Sequence, residues 1–253
     1  MLIQKISDVV SWLDEIVLAC ENTQNRMGYF AALYKRMTVS VATGITNGSF
    51  QDGARMEKLD LVFAQRYLDA FDAFQHKAVC SSSWQYAFDN CADTSLTVIQ
   101  HLLMGINTHI NLDLAIAAAA IAPGDSIFAL EEDFNRINNV IAALVNDIQE
   151  SLCQVWAPMR LLTAIANHRQ EAVLNFNIDI ARKTAWANAL IMANMNVSQL
   201  SDHIKGMDAT VNILGQKIHS PGMLAELLLR SIRFTEFEDI ARTTRLIDTT
   251  VVN

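Results

Sequence analysis

Ser95-Leu-Thr-Val-Ile-Gln-His101-Leu-Leu-Met-Gly105-Ile-Asn107-Thr-His109-Ile-Asn111-Leu-Asp113, followed by the apolar run from Leu114 to Ala122, is the stretch that decides the fold. Apolar residues occupy every side of the helix it would form, and such a helix has to be surrounded by protein. The pattern predicts a buried central helix over 95–122. A membrane span is the competing interpretation, because Thr94 to Leu112 carries no charge. Two His, two Asn and a Gln within that stretch argue against it. Each of those polar groups must then find a partner inside the protein or cost about 1–3 kcal/mol.

At about 100° per residue, His101, Gly105, His109 and Asp113 fall on one slowly drifting stripe, with Asn107 and Asn111 on a second. His109 and Asp113 are one turn apart, about 6 Å in rise, and can address one ion or one substrate atom. His101 and His109 lie about 12 Å apart along the axis, too far to share one metal with bonds of about 2 Å. His101 is therefore either a neighbour of the catalytic group or a separate hydrogen-bonding residue. Gly105 costs about 1 kcal/mol relative to Ala inside a helix, so a neighbouring helix or a ligand is expected to approach closely there.

Outside this segment, apolar residues recur at three- and four-residue intervals through Ile3 to Cys20, Tyr29 to Ile45, Leu59 to Phe74, Ile127 to Leu152, Val173 to Met195 and Leu200 to Ile218. These are amphipathic helices. Asn47-Gly48 closes the second, Gln51-Asp52-Gly53 opens the third, and Pro123-Gly124-Asp125 ends the central one. Pro158 starts a further segment, Pro221-Gly222 opens a helix through Arg230, and a last one spans Thr235 to Asp248. Strand-like alternation is nearly absent. Three prolines, nine glycines and no linker-like stretch point to a single domain over 1–253. The expected fold is an all-α, multi-helix bundle of roughly eight to ten helices around the central one.

Composition narrows the functional classes. Hydrophobic residues make up 51% of the chain against 18% charged, so nearly every element must be packed. The net charge is −8 and the 19 Lys and Arg are scattered singly, which excludes the footprint of a nucleic-acid binder. Cys20, Cys80, Cys91 and Cys153 have neither metal-site nor redox-motif spacing and are expected as reduced thiols. The N-terminal residues lack a leader pattern, so a cytoplasmic location is the expectation. No HExxH, ExxH pair, phosphate-cradling glycine loop or GxSxG elbow is present.

Several fragments together resemble an uncharacterised, mainly bacterial domain-of-unknown-function family. They are Tyr29-Phe30-Ala31 with Tyr34, Phe50 with Asp52, Arg55-Met56 with Leu59-Asp60, Phe63-Ala64 with Arg66-Tyr67, the run HLLMGINTHINLDLAIA from His101, and Asp133-Phe134 with Asn138. The resemblance covers half to two-thirds of the chain and implies an all-helical fold, without an established activity. A looser similarity links His109 and Asp113 to the helical zinc-dependent phospholipase C and single-strand nuclease group. With only six His, the chain departs from that group's multinuclear ligand set.

Asp60 shares a helix with Arg55, Glu57, Arg66 and Tyr67, and Glu57 and Asp60 are three apart and can face the central helix. Asp133 belongs to the same set of pocket candidates, with Asn107 and Asn111. Their bland alternatives are helix-start acids and surface ion pairs. His168 with Glu171 reads as a surface pair, and His76, His203 and His219 as exposed.

Three functions fit. The first is an enzyme in which His109, Asp113 and Asp60, with Glu57 or Asp133 as further ligand candidates, surround one divalent metal, Zn, Mn or Fe, that acts on a small-molecule or ester substrate. The second is a metal-free pocket in which His109 and Asp113 do acid–base work, or only orient a ligand, with His101 nearby. The third is an interaction protein whose polar network is purely structural, marked by an exposed apolar patch. A small-molecule ligand is expected, without nucleic acid or membrane span, and a homo-oligomer is compatible with the sequence.

Overall fold

The computed structural model describes residues 3–137, 140 and 178–249. The chain is all-helical, with no strand among the described residues. In order the helices are α1 (Ile6–Asn22), α2 (Met27–Thr46), α3 (Gly53–Gln75), α4 (Ser82–Asp89), α5 (Val98–Ile121), α6 (127–137), α7 (Ile178–Met192), α8 (Val197–His219), α9 (Met223–Arg233) and α10 (Ile240–Asp248).

Side-chain caps set five of the helix starts. Asp52 accepts from the Arg55 N–H, Ser81 from Trp84 and Asp239 from Arg242. Thr97 with Gln100, and Asn196 with Gln199, form reciprocal capping boxes that start α5 and α8. Gly48, just past the end of α2, and Gly124, just past α5, take positive φ of 73° and 59°, which a side chain would resist.

These caps correct several sequence expectations. The central helix begins at Val98 because Thr97 caps it, and the last helix begins at Ile240 rather than Thr235 because Asp239 does. The short α4 has no counterpart in the periodicity. The second half of the expected helix from Ile127, the start of the one from Val173, and Asn138, Cys153, Pro158, His168 and Glu171 lie outside the described residues.

Helix α5 runs through two hydrophobic cores. Its first half, with Leu102, Leu103 and Met104, packs among α1, α2, α4 and the second half of α3. Its second half, with Leu112, Leu114 and Ala115 to Ala119, packs against the start of α3 and against α6, α7 and α8. It is the one helix among the described residues long and apolar enough to cross a membrane, and 83% of its apolar window is buried inside the fold. At the start of the second half, His109–Leu114 forms a π-helical turn. Such turns are rare and are found frequently at functional sites.

Gly105, one turn before the π turn, faces α2. A Cβ there would lie 2.5 Å from Phe30 Cδ2 and 2.6 Å from Cγ, so only glycine admits the Phe30 ring at this depth. The close approach expected at Gly105 is therefore made by a neighbouring helix.

Candidate functional site

The π turn presents Asp113 to three donors. Arg66 Nε–H of α3 donates to Oδ1 at 2.8 Å, Trp84 Nε1–H of α4 donates to Oδ2 at 2.8 Å, and His109 Nδ1 lies 3.1 Å from Oδ2. Asp113 is 1% exposed, so this carboxylate is fixed on every side by protein. Facing an acceptor-only group, His109 Nδ1 carries the ring proton and Nε2 carries the lone pair.

The His109 imidazole is clamped by aromatic rings. Phe63 of α3 stacks flat on it with centroids 3.6 Å apart, and Tyr34 of α2 meets it edge-on at 4.4 Å. Burial lowers the His109 pKa, with Asp113 pulling it part of the way back. The imidazole is thus held neutral over a wider pH range than in water.

His109 also lines a cavity of about 120 Å³ between α2, α3 and α5, together with Tyr34, Met56, Asp60, Phe63 and Arg182. The rest of its wall is aliphatic or aromatic, from Phe30 and Leu33 to Ile110 and Leu114. Three buried polar atoms on these lining residues have no partner in hydrogen-bonding geometry: His109 Nε2, Tyr34 Oη and Asp60 Oδ2. Burial, with Glu57 adding to it, pushes the Asp60 carboxyl up to about 7. Burial and then the Asp60 and Asp113 carboxylates hold the Tyr34 phenol well above its ordinary range, the Thr38 hydroxyl acting weakly the other way. Arg182 lies over the Phe134 ring at 4.5 Å and donates to the Phe134 carbonyl.

The other sequence candidates separate from this cavity. Asp133 accepts from the Gln51 and Asp52 N–H groups at 2.7 and 3.0 Å and from Arg55 at 3.0 Å, so it anchors the start of α3. Burial raises its pKa, but those N–H groups and Arg55 outweigh the burial and hold it low. Glu57 accepts from the Ile6 N–H at 3.3 Å. Asn107 donates to the Val211 carbonyl at 2.9 Å and accepts from Asn111 at 3.0 Å, which ties α5 to α8. Tyr67 is fully buried in the ring cluster, 5.2 Å from both Phe30 and Trp84.

His101 stands in a separate small pocket with Arg26, Tyr29, Arg233 and Glu236, and neither ring nitrogen has a partner. Burial, assisted by Arg26 and opposed by Asp93, lowers its pKa to about 3. Two histidines expected on the surface are half-buried instead. His219 Nδ1 is 2.8 Å from Tyr86 Oη, and His203 Nε2 is 3.1 Å from Asn188 Oδ1.

As a metal set, His109, Asp113 and Asp60 do not come together. Both Asp113 oxygens are taken by donors, His109 Nδ1 faces Asp113, and no group of three His, Cys, Asp or Glu among the described residues is placed to hold one ion. Sequence reasoning did not assign Trp84, Phe63, Tyr34 or Arg182 to the site. Phe63 and Tyr34 were present in the family-like fragments, whereas Trp84 and Arg182 reach the site through packing alone.

No curated protein and no solved structure matches the chain. The model of DUF5995, a family of unknown function, matches residues 6–221, a span that contains α1 to α8 and every residue of the His109 site. On that match the chain belongs to the DUF5995 family.

Proposed function

We propose that the chain binds a small, mainly apolar molecule in the cavity between α2, α3 and α5, and that His109 takes and returns a proton on it without a metal. The observation that carries this reading is the division of labour in the dyad. Asp113 is saturated by Arg66, Trp84 and His109 Nδ1, while His109 Nε2 is left buried, unpartnered and on a cavity-lining residue.

That arrangement is the one a general base needs. The carboxylate fixes the tautomer and stabilises the imidazolium formed when Nε2 accepts a proton. Phe63 and Tyr34 hold the ring plane, so the base does not have to be ordered when a ligand enters. Among the described residues no Ser, Thr or Cys lines the cavity, so the proton His109 takes is read as coming from the ligand or from a water bound with it.

Two measurements test the proposal. Elemental analysis of gently purified protein, after supplementation with zinc, manganese and iron, should find less than about a tenth of an equivalent of each. A near-stoichiometric metal removed together with function would overturn the metal-free reading. Thermal-shift screening with small neutral ring compounds should raise the melting temperature, and Phe63→Trp, which fills the cavity, should abolish the shift.

A second reading, a protein-binding surface, is favoured by α9. Met223, Leu224, Leu227 and the following Phe234 are 86%, 67%, 67% and 90% exposed. Sedimentation at increasing concentration, with and without Leu224→Glu and Leu227→Glu, tests whether that face joins two copies.

A further inference from the structure

We infer that the cavity takes a small, uncharged carbonyl compound, with Tyr34 and Asp60 donating hydrogen bonds to its oxygen and His109 Nε2 removing a proton from the adjacent carbon. The inference rests on the reading of the cavity as a small-molecule site and names the chemistry performed there.

Three orphaned atoms define the ligand by what they lack. Buried polar groups without partners are uncommon, and each calls for an explanation. His109 Nε2 can only accept, since Asp113 fixes the proton on Nδ1. Tyr34 Oη keeps its proton, because burial and two nearby carboxylates disfavour the phenolate. Asp60 is buried, its Oδ2 has no partner, and burial with Glu57 raises its pKa to about 7, so below that pH it can donate its proton in a hydrogen bond. Two neutral donors and one base are thus carried by residues that line one apolar cavity.

A ligand that satisfies all three presents an oxygen with two lone pairs and a removable proton on a neighbouring atom. A carbonyl group flanked by C–H does so without bringing a charge into an apolar cavity. Size agrees, because an apolar cavity of about 150 Å³ admits a benzene-sized ring, and this one is about 120 Å³.

The step balances without a co-reactant. The C–H electron pair becomes the carbon–carbon π bond of an enolate, and the carbonyl π pair moves to oxygen, where hydrogen bonds from Tyr34 and Asp60 stabilise the negative charge. The proton goes to His109 Nε2, and the imidazolium is held by Asp113. Return of the proton to the same carbon gives exchange, and return to a more distant conjugated carbon gives isomerisation. A proton-shuttling base contributes on the order of 100- to 10,000-fold and one oxyanion donor about 100- to 1,000-fold.

The test uses the full chain and cyclopentanone in deuterium oxide, followed by proton NMR, with saturation transfer to report binding. The expected result is binding and loss of the α-C–H signal faster than in buffer. His109→Gln should cut the rate more than about 100-fold and Tyr34→Phe at least about tenfold. The wild-type rate should fall above about pH 7 as Asp60 ionises, and Asp60→Asn, which keeps an N–H donor, should lose that alkaline limb.

Binding without exchange, or exchange unmoved by Tyr34→Phe and without the alkaline limb, overturns the inference and leaves the pocket standing. Binding of benzene or of benzoate in place of the ketone does the same, the latter pointing to Arg182 instead. If none of the three ligands binds, the pocket reading itself fails with it.

Discussion

Replacing Asp60 with Asn should make the protein more stable in alkali and leave it little changed in acid. Asp60 is 7% exposed, its Oδ2 has no partner, and its pKa moves from an ordinary 3.8 to about 7 on folding. The folded chain thus keeps a proton that the unfolded chain gives up. A raised pKa contributes stability fully present below 3.8 and lost as pH rises through about 7. At about 1.4 kcal/mol for each pH unit between those two values, the loss approaches about 4 kcal/mol by pH 8. The amide of the Asp60→Asn variant does not titrate, so that protein escapes the loss. Urea unfolding of both proteins from pH 5 to pH 9 gives the difference in stability at each pH, and titrating histidines common to both largely cancel in it. The difference should grow in favour of the variant by a few kcal/mol across that range. Curves that stay parallel within about 0.5 kcal/mol would show that Asp60 titrates alike in the folded and unfolded chains, and the neutral donor assigned to it would not exist.

Gly105→Ala should destabilise the protein by about 1–3 kcal/mol, although Ala is the better helix former by about 1 kcal/mol, because its Cβ meets Phe30 at 2.5 Å in a packed ring cluster. An unchanged urea midpoint would show that Phe30 can give way. His101→Phe should resist acid better than wild type. A histidine lowered to about 3 contributes stability that is present above about pH 6.5 and lost as pH falls, up to about 5 kcal/mol, and melts from pH 7 down to pH 4 would show the two proteins diverging. Equal acid sensitivity would mean that His101 is hydrated in the fold.

The fold was legible because burial follows helical periodicity in most of the chain. The helix starts were less so: Thr97-x-x-Gln100 and Asn196-x-x-Gln199 form the capping boxes of α5 and α8, whose starts periodicity alone placed at Ser95 and Leu200. Helix α4 was not legible, since Ser82-Ser-Trp-Gln-Tyr-Ala-Phe-Asp89 is too short to establish a period. The pairing of His109 with Asp113 followed from their spacing. Arg66 stood among the pocket candidates without its partner and Trp84 was not among them, because both arrive from other helices, and the role of Asp133 depends on contacts about eighty residues away in sequence. The π turn has no local signature at all. Its widened ladder persists because the carboxylate it presents collects donors from three directions.

The two polar stripes of α5 provide an internal control on what the site is for. His109, Asp113 and Asn107 are buried and Asn111 is half-buried on the same helix, and each stripe would serve as a structural tie between helices. The Asn107 and Asn111 stripe behaves as a tie should, with the Asn107 amide spent on Val211 and on Asn111. On the other stripe, Asp113 is spent as completely, yet His109 is satisfied on one nitrogen only, and the cavity beside it carries two further orphaned atoms on Tyr34 and Asp60. A network selected for packing alone gains by closing such atoms on one another or by replacing them with apolar groups, since each costs about 1–3 kcal/mol when left open. We read the three open atoms on residues lining one apolar cavity, beside the Asn107 tie on the same helix, as favouring a binding site over a purely structural network.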